Sequence, residues 1–212
     1  MSASLPVAVV DYGAGNLVSI EQALVHVGAR PWRARRPEQL AAAAAIVVPG
    51  VGAAGPAMRR LERGGLVDPI RRWIADGRPY LGICLGLQLL FEASDEDGST
   101  TLGVLAGRSR RLAGAPTLPH IGWNQVVRRR RHRLFDGIAG DADLYFVHSY
   151  AGRPEPAAED AILAETEHGE TFVSAVARAA LFGVQFHPER SGVDGLRLLA
   201  NFVALAGGRQ AA

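Results

Sequence analysis

Three short apolar runs, each halted by a glycine-bearing turn and two of them followed at once by residues at helical spacing, constrain this chain more than any other feature. Leu5–Val10 is continuous and rich in valine, and it runs into DYGAGN (11–16). Residues 17–27 then carry apolar side chains at helical spacing and stop at Gly28. Ala45–Val48 is halted by PGVG (49–52), and residues 78–83 run into a cysteine flanked by glycines. A strand that is apolar at every position, instead of at alternate ones, expects cover on both faces. Residues 58–75 read as helical with a break at Gly64 and Gly65, and residues 85–91 as the start of another helix. The repeated order strand, turn, helix predicts an α/β fold: a mostly parallel sheet with helices on both faces.

From about residue 103 the texture changes. Segments 104–112, 126–133, 144–147, 161–166, 171–176 and 181–186 are short and alternating, so antiparallel strands and hairpins are expected on the same core. Residues 193–206 read as an amphipathic helix. There is no internal repeat and no linker, and 212 residues suffice for one well-cored α/β domain, so residues 1–212 are read as a single unit.

Composition mainly excludes. No apolar run is long enough to span a bilayer, and the first residues lack a basic segment followed by an apolar core. One cysteine cannot form an internal disulfide, and no Cys/His cluster has zinc spacing. A soluble cytoplasmic protein without structural metal or cofactor is expected. All 23 basic residues are arginine and the net charge is +2, a bias that says little about partners. The arginine run 128–131, with Arg133, admits a nucleic-acid patch. It has no interleaved aromatics, so a solvated hairpin is the better reading and no nucleic-acid partner is expected.

The chemistry concentrates in two segments. GICLGLQ (82–88) puts Cys84 between a strand and a helix with glycine two residues before and after it. A nucleophile on so tight a turn needs neighbours without side chains, and the following helix start offers free N–H groups that favour thiolate. The Leu85 N–H could also donate to an oxyanion. The bland alternative is a small buried cysteine at a strand end. GVQFHPE (183–189) ends a strand with His187, Pro188 and Glu189. There a histidine could take the thiol proton and a carboxylate could orient the ring. His26, His120, His132, His148 and His168 compete for that place.

The two motifs together resemble the class I, triad-type glutamine amidotransferases, over nearly the whole chain. The resemblance implies a single-domain fold of that class, with an antiparallel part added to the central sheet. It implies a catalytic triad of Cys84, His187 and Glu189, and an oxyanion site made by Leu85 and the PGVG residues Gly50, Val51 and Gly52. Gln88, His148, Ser149 and Tyr150 would then bind glutamine. DYGAGN, PGVG, PHIGWN (119–124) and YFVHSY (145–150) resemble the branch of the family that serves histidine biosynthesis. That implies delivery of ammonia to a separate synthase (cyclase) subunit in a heterodimer, with Asn16, Trp123, Tyr145 and Arg190 facing it. Arg190 stands where the family commonly has lysine, and a guanidinium is not an equivalent pairing group. A glutaminase feeding an anthranilate- or aminobenzoate-type synthase and a non-catalytic interaction module are the rival readings.

Overall fold

The structure is a computed structural model and describes residues 4–208. Its strands are β1 (Leu5–Val10), β2 (Ala29–Ala34), β3 (Ala45–Val48), β4 (Tyr80–Ile83), β5 (Ala93–Ser94), β6 (Gly107–Arg111), β7 (His120–Gln125), β8 (Val127–Arg128), β9 (Asp143–His148), β10 (Tyr150–Pro154), β11 (Ile162–Glu167), β12 (Thr171–Arg178) and β13 (Leu181–Val184). Its helices are α1 (Leu17–His26), α2 (Ala54–Arg63), α3 (Val67–Ala75), the single turn α4 (Leu85–Gln88) and α5 (Gly192–Gly207). Eight strands form one sheet in the order β2-β1-β3-β4-β13-β12-β11-β8. The first five run parallel, and β12, β11 and β8 extend the sheet antiparallel. This is the expected mixed α/β architecture.

The reason for the unbroken apolar runs is visible in the packing. Val7 and Val9 of β1 and Ala45 and Val47 of β3 join a core with Ile20 and Leu24 of α1 and Leu198 and Phe202 of α5. The intervening Ala8, Val10, Ile46 and Val48 enter a second core with Met58 and Leu61 of α2 and Ile70 and Trp73 of α3. Successive side chains on a strand point to opposite faces, so cover on both sides demands apolar residues throughout.

Several elements depart from the sequence reading. β2 was not foreseen because Ala-Arg-Pro-Trp-Arg-Ala carries proline and two arginines. It lies at the sheet edge, the place where a proline and charges are tolerated. The broken helix read over 58–75 is two helices that part as expected at Gly64 and Gly65, where Gly65 adopts φ 65°, but the first begins four residues earlier, at Ala54. The helix after Cys84 is one turn, not seven residues. PHIGWN supplies β7, which pairs antiparallel with β9 in a separate ribbon. The arginine run is solvent-exposed at Arg129, Arg130 and Arg131, as expected, but it is not a hairpin. Val127–Arg128 is the last strand of the main sheet, Arg128 and Arg130 donate to the carbonyls of Ile138 and Ala177, and Arg129 pairs with Glu165. Among the described residues no helix is long and apolar enough to cross a membrane.

Candidate active site

Parallel strands in an open α/β sheet release their chains at one edge, where side chains from different segments converge. Here β1 releases DYGAGN, β3 releases PGVG, β4 releases Cys84, and β13 leads into His187. Cys84 has φ 54° and ψ −107°, left-handed territory that a side chain enters at a cost. Its N–H donates to Val184 O at 2.8 Å, and its carbonyl accepts from the N–H groups of Leu87 and Gln88 at 3.0 and 3.2 Å. The turn is therefore locked between β13 and α4. A Cβ on Gly82 would strike the Gly86 carbonyl, and one on Gly86 would strike the Val48 carbonyl. Both elbow glycines are thus required by close approach, as the spacing of the motif predicts.

His187 begins the turn after β13. Its N–H donates to Tyr145 O at 2.8 Å, and Ser191 Oγ donates to its carbonyl at 2.6 Å while accepting from the Tyr145 N–H at 2.9 Å. Ser191 thus staples the histidine to β9. Nδ1 of His187 lies 2.8 Å from Glu189 Oε1, with both side chains buried. His187 Nε2 is buried without an aligned hydrogen bond and lies within electrostatic reach of the Cys84 sulfur. Burial pulls the imidazole down, but hydrogen bonding and charge from Cys84 and Glu189 overcome it and make it more basic than an ordinary histidine. The imidazole therefore interacts with the sulfur and, through Nδ1, with the carboxylate. Of the competing histidines, His26 is exposed on α1, and His132 Nδ1 accepts from the Leu134 N–H.

A cleft of about 260 Å³ opens on the sulfur, lined by Cys84, Leu85, Gln88, Val51, Gly52 and the strand end His148, Ser149 and Tyr150. Every residue named from the sequence for oxyanion or glutamine contacts lines it except Gly50. Gly50 lies behind, in a 60 Å³ cavity with Asn16, Val51, His187, Glu189 and Arg190. Its carbonyl accepts from the Leu85 N–H at 3.4 Å. Tyr12 Oη donates to Pro49 O at 2.7 Å and stands where a Cβ of Gly50 would fall. Glu96 also lines the cleft, its carboxyl raised above the ordinary range by desolvation and by the Asp97 charge. Sequence reasoning passed over Glu96, since nothing in its exposed acidic loop points to the cleft.

Gln88 is less available than expected. Its Nε2 donates to Tyr150 O at 2.7 Å and to Gln185 Oε1 at 3.2 Å, so only its carbonyl oxygen is left for a ligand. Gln185, also passed over, directs Nε2 to Cys84 Sγ at 3.5 Å. A glutamine in the otherwise apolar end of a strand was the signal. Outside the pocket, the Arg190 guanidinium stacks 4.3 Å from the Tyr145 ring centre, and Trp123 meets that ring edge-on at 5.9 Å. Asn16 is exposed and caps α1 through the Ser19 N–H.

Two further histidines brace this wall. His148 Nδ1 bonds Tyr150 O at 3.0 Å, and His148 Nε2 meets His120 Nδ1 at 3.1 Å. Burial, with neighbouring histidines, pushes His148 down to about 3 and His120 down to about 4. Both stay neutral when folded but protonate near their ordinary value of 6.5 when unfolded. The stability they contribute is present above about pH 6.5 and is lost as pH falls towards 4. Each can steepen the loss by at most about 1.4 kcal/mol per pH unit. Urea unfolding at about pH 7.5 and about pH 5 should show a stability drop on the order of 2 kcal/mol, smaller in His120→Gln. An equal drop in the variant would show that His120 does not carry it.

The model of the class-I glutamine amidotransferase family matches residues 8–206. An imidazole glycerol phosphate synthase subunit HisH from Thermosynechococcus vestitus is 48% identical over 204 residues, covering 94% of this chain and 96% of that one. The protein of the same name from Moorella thermoacetica is 46% identical and covers 93% of each chain. Among solved structures, a glutamine amidotransferase superposes with TM-score 0.73 at 22% identity, over 95% of this chain and 98% of its own. PurLQS from Thermotoga maritima superposes at 0.75 with 18% identity, over 95% and 98%. These two show the fold alone, whereas the sequence relatives span the whole site. The chain belongs to the class-I glutamine amidotransferases and, within them, to the family of the imidazole glycerol phosphate synthase HisH subunits.

Proposed function

We propose that this chain hydrolyses glutamine to glutamate and hands the ammonia to a separate cyclase subunit that makes imidazole glycerol phosphate in histidine biosynthesis. The observation that carries the chemistry is the strained Cys84 elbow facing the buried Nε2 of a histidine whose other nitrogen is held by Glu189. Cys84 Sγ gives its proton to His187 Nε2 and attacks the side-chain amide carbon of glutamine. His187 returns that proton to the leaving nitrogen, ammonia departs, and a thioester remains. Water then adds, its proton going to His187 and back to the sulfur as glutamate leaves. Glu189 keeps the ring oriented and offsets its charge. Glu96, which lines the cleft with Ser149 and Tyr150, suits the α-amino group of the substrate.

The oxyanion site is supported in an unready form. The Leu85 N–H, one of its donors, is taken by the Gly50 carbonyl. Rotation of the Gly50–Val51 peptide would remove that carbonyl and bring the Val51 N–H inward, and Gly50 absorbs its share of the dihedral change at little steric cost. Tyr12 fixes the preceding carbonyl, so the rotation has a stationary end. Exposed Val51 lines the small cavity behind the triad with Asn16 and Arg190, and Val18, Ile121 and Trp123 are further exposed apolar side chains. A cyclase docked there would cover this surface and receive ammonia from the rear of the triad.

The test compares glutamate release by the chain alone, with its cyclase, and with cyclase plus its phosphoribosyl ligand. Losing one oxyanion donor costs about 100- to 1000-fold, so the liganded complex should exceed the free chain by that order. Equal rates in all three would end the switching idea and leave the triad assignment standing.

A further inference from the structure

Gln185 sits one residue past β13, fully buried between Val184 and Phe186. A carboxamide in such a place is costly unless both ends are bonded. One end touches the reacting sulfur, with Nε2 3.5 Å from Cys84 Sγ. We propose that Gln185 is a further catalytic residue, whose side-chain N–H donates to the Cys84 sulfur and holds it as the thiolate that attacks. The proposal rests on Cys84 being the nucleophile.

Oxygen and nitrogen of an amide are distinguished by their partners, and here the partners leave no choice. Tyr150 O is a carbonyl and can only accept, so the group 2.7 Å from it must be the NH₂ of Gln88. The second hydrogen of that NH₂ goes to Gln185 at 3.2 Å, which makes the receiving atom Oε1. Gln185 therefore turns its own NH₂ to the sulfur. The other side of Tyr150 O is equally determined. His148 donates to it through Nδ1, so His148 Nε2 accepts from His120 Nδ1, and His120 Nε2 accepts from Asn124 Nδ2 at 3.3 Å. The remaining Asn124 hydrogen goes to Glu167 O at 2.8 Å. Each histidine in this chain must keep a free lone pair, which their depressed basicity provides.

The contact matters more for one state of the sulfur than another. As a thiol, Cys84 directs its hydrogen at Val147 O, 3.9 Å away, and accepts weakly from Gln185. Once His187 has taken the proton, the same N–H faces a negative sulfur, and hydrogen bonds to ionised groups are roughly twice as strong as neutral ones. The bond thus favours the thiolate before attack and again when the thioester collapses. No bond is made or broken at Gln185 itself.

The test uses the full chain, whose only cysteine makes iodoacetamide labelling a direct reading of this thiol. The ionisable groups facing the sulfur are His187 with Glu189 behind it, Tyr12 from the loop after β1, and His148 from β9, with Glu96 lining the same cleft. Tyr12 is held protonated and His148 neutral, so near neutral pH the profile belongs to the Cys84–His187 pair. Gln185→Met keeps the volume and removes the donor. Its labelling midpoint should rise by about one pH unit, slowing labelling by about tenfold at pH values below both midpoints. In the cyclase complex kcat should fall by a similar factor with KM nearly unchanged. A folded variant with the wild-type midpoint overturns the proposal. If Gln185→Met does not fold, the wild-type chain decides: the Gln185 side-chain amide proton should shift with the same midpoint as labelling, and an amide proton that ignores the titration overturns the proposal. Should Cys84→Ala still release glutamate, the reading of the whole site fails; an essential Cys84 with an unmoved midpoint defeats Gln185 alone.

Discussion

Cys84→Ala should abolish glutamine-dependent synthesis by the cyclase complex and leave ammonia-dependent synthesis at its wild-type rate. The thiol is the only group in the cleft that can form the thioester, so glutamate release should fall by at least about 10⁴-fold. The substitution tests chemistry and not folding. Alanine keeps the Cβ, so the strain of φ 54° is unchanged, and Cys84 N–H and carbonyl keep their bonds to β13 and α4. Only the sulfur goes, and its weak contacts to Gln185 and Val147 with it. The two assays separate cleanly because externally supplied ammonia needs no glutaminase. Glutamate release at a normal rate from Cys84→Ala would remove Cys84 from the mechanism.

His187→Ala should cost nearly as much in rate and, unlike Cys84→Ala, should cost stability as well. Without the imidazole nothing accepts the thiol proton or returns it to the leaving nitrogen, and members of a triad fail as a unit. The structural penalty comes from Glu189, whose side chain is 2% exposed and whose Oε2 has no partner among the described residues. Removing its one imidazole partner strands a buried carboxylate, a loss on the order of 3–5 kcal/mol. His187→Gln, which keeps an amide near that carboxylate, should recover part of the stability and none of the activity. Glu189→Gln should be about 10- to 100-fold less damaging to the rate than His187→Ala, since the orienting member contributes least. Thermal unfolding beside glutamate release checks both halves. An unchanged pH–rate profile in His187→Ala would sink the assignment of the base.

The sequence by itself determined the parallel sheet, the elbow and the identity of the paired motifs. Those properties are local: a run apolar at every position needs two covered faces, and a nucleophile between two glycines needs a tight turn. β2 escaped because an edge strand pairs on one side only and tolerates the proline and arginines that usually argue against a strand. The family resemblance implied His187, but residue spacing left six histidines open, and tertiary structure is what brings His187 beside the sulfur. His187 N–H is bonded to Tyr145 and its carbonyl to Ser191, contacts made by β9 and the turn before α5. It alone set the Gly50 carbonyl against the Leu85 N–H, across a gap of 35 residues that no spacing rule reaches. The amide directions of Gln88 and Gln185 were likewise decided in three dimensions. An amide has no preferred direction of its own, and takes one from the carbonyl, imidazole or sulfur that the folded chain brings beside it.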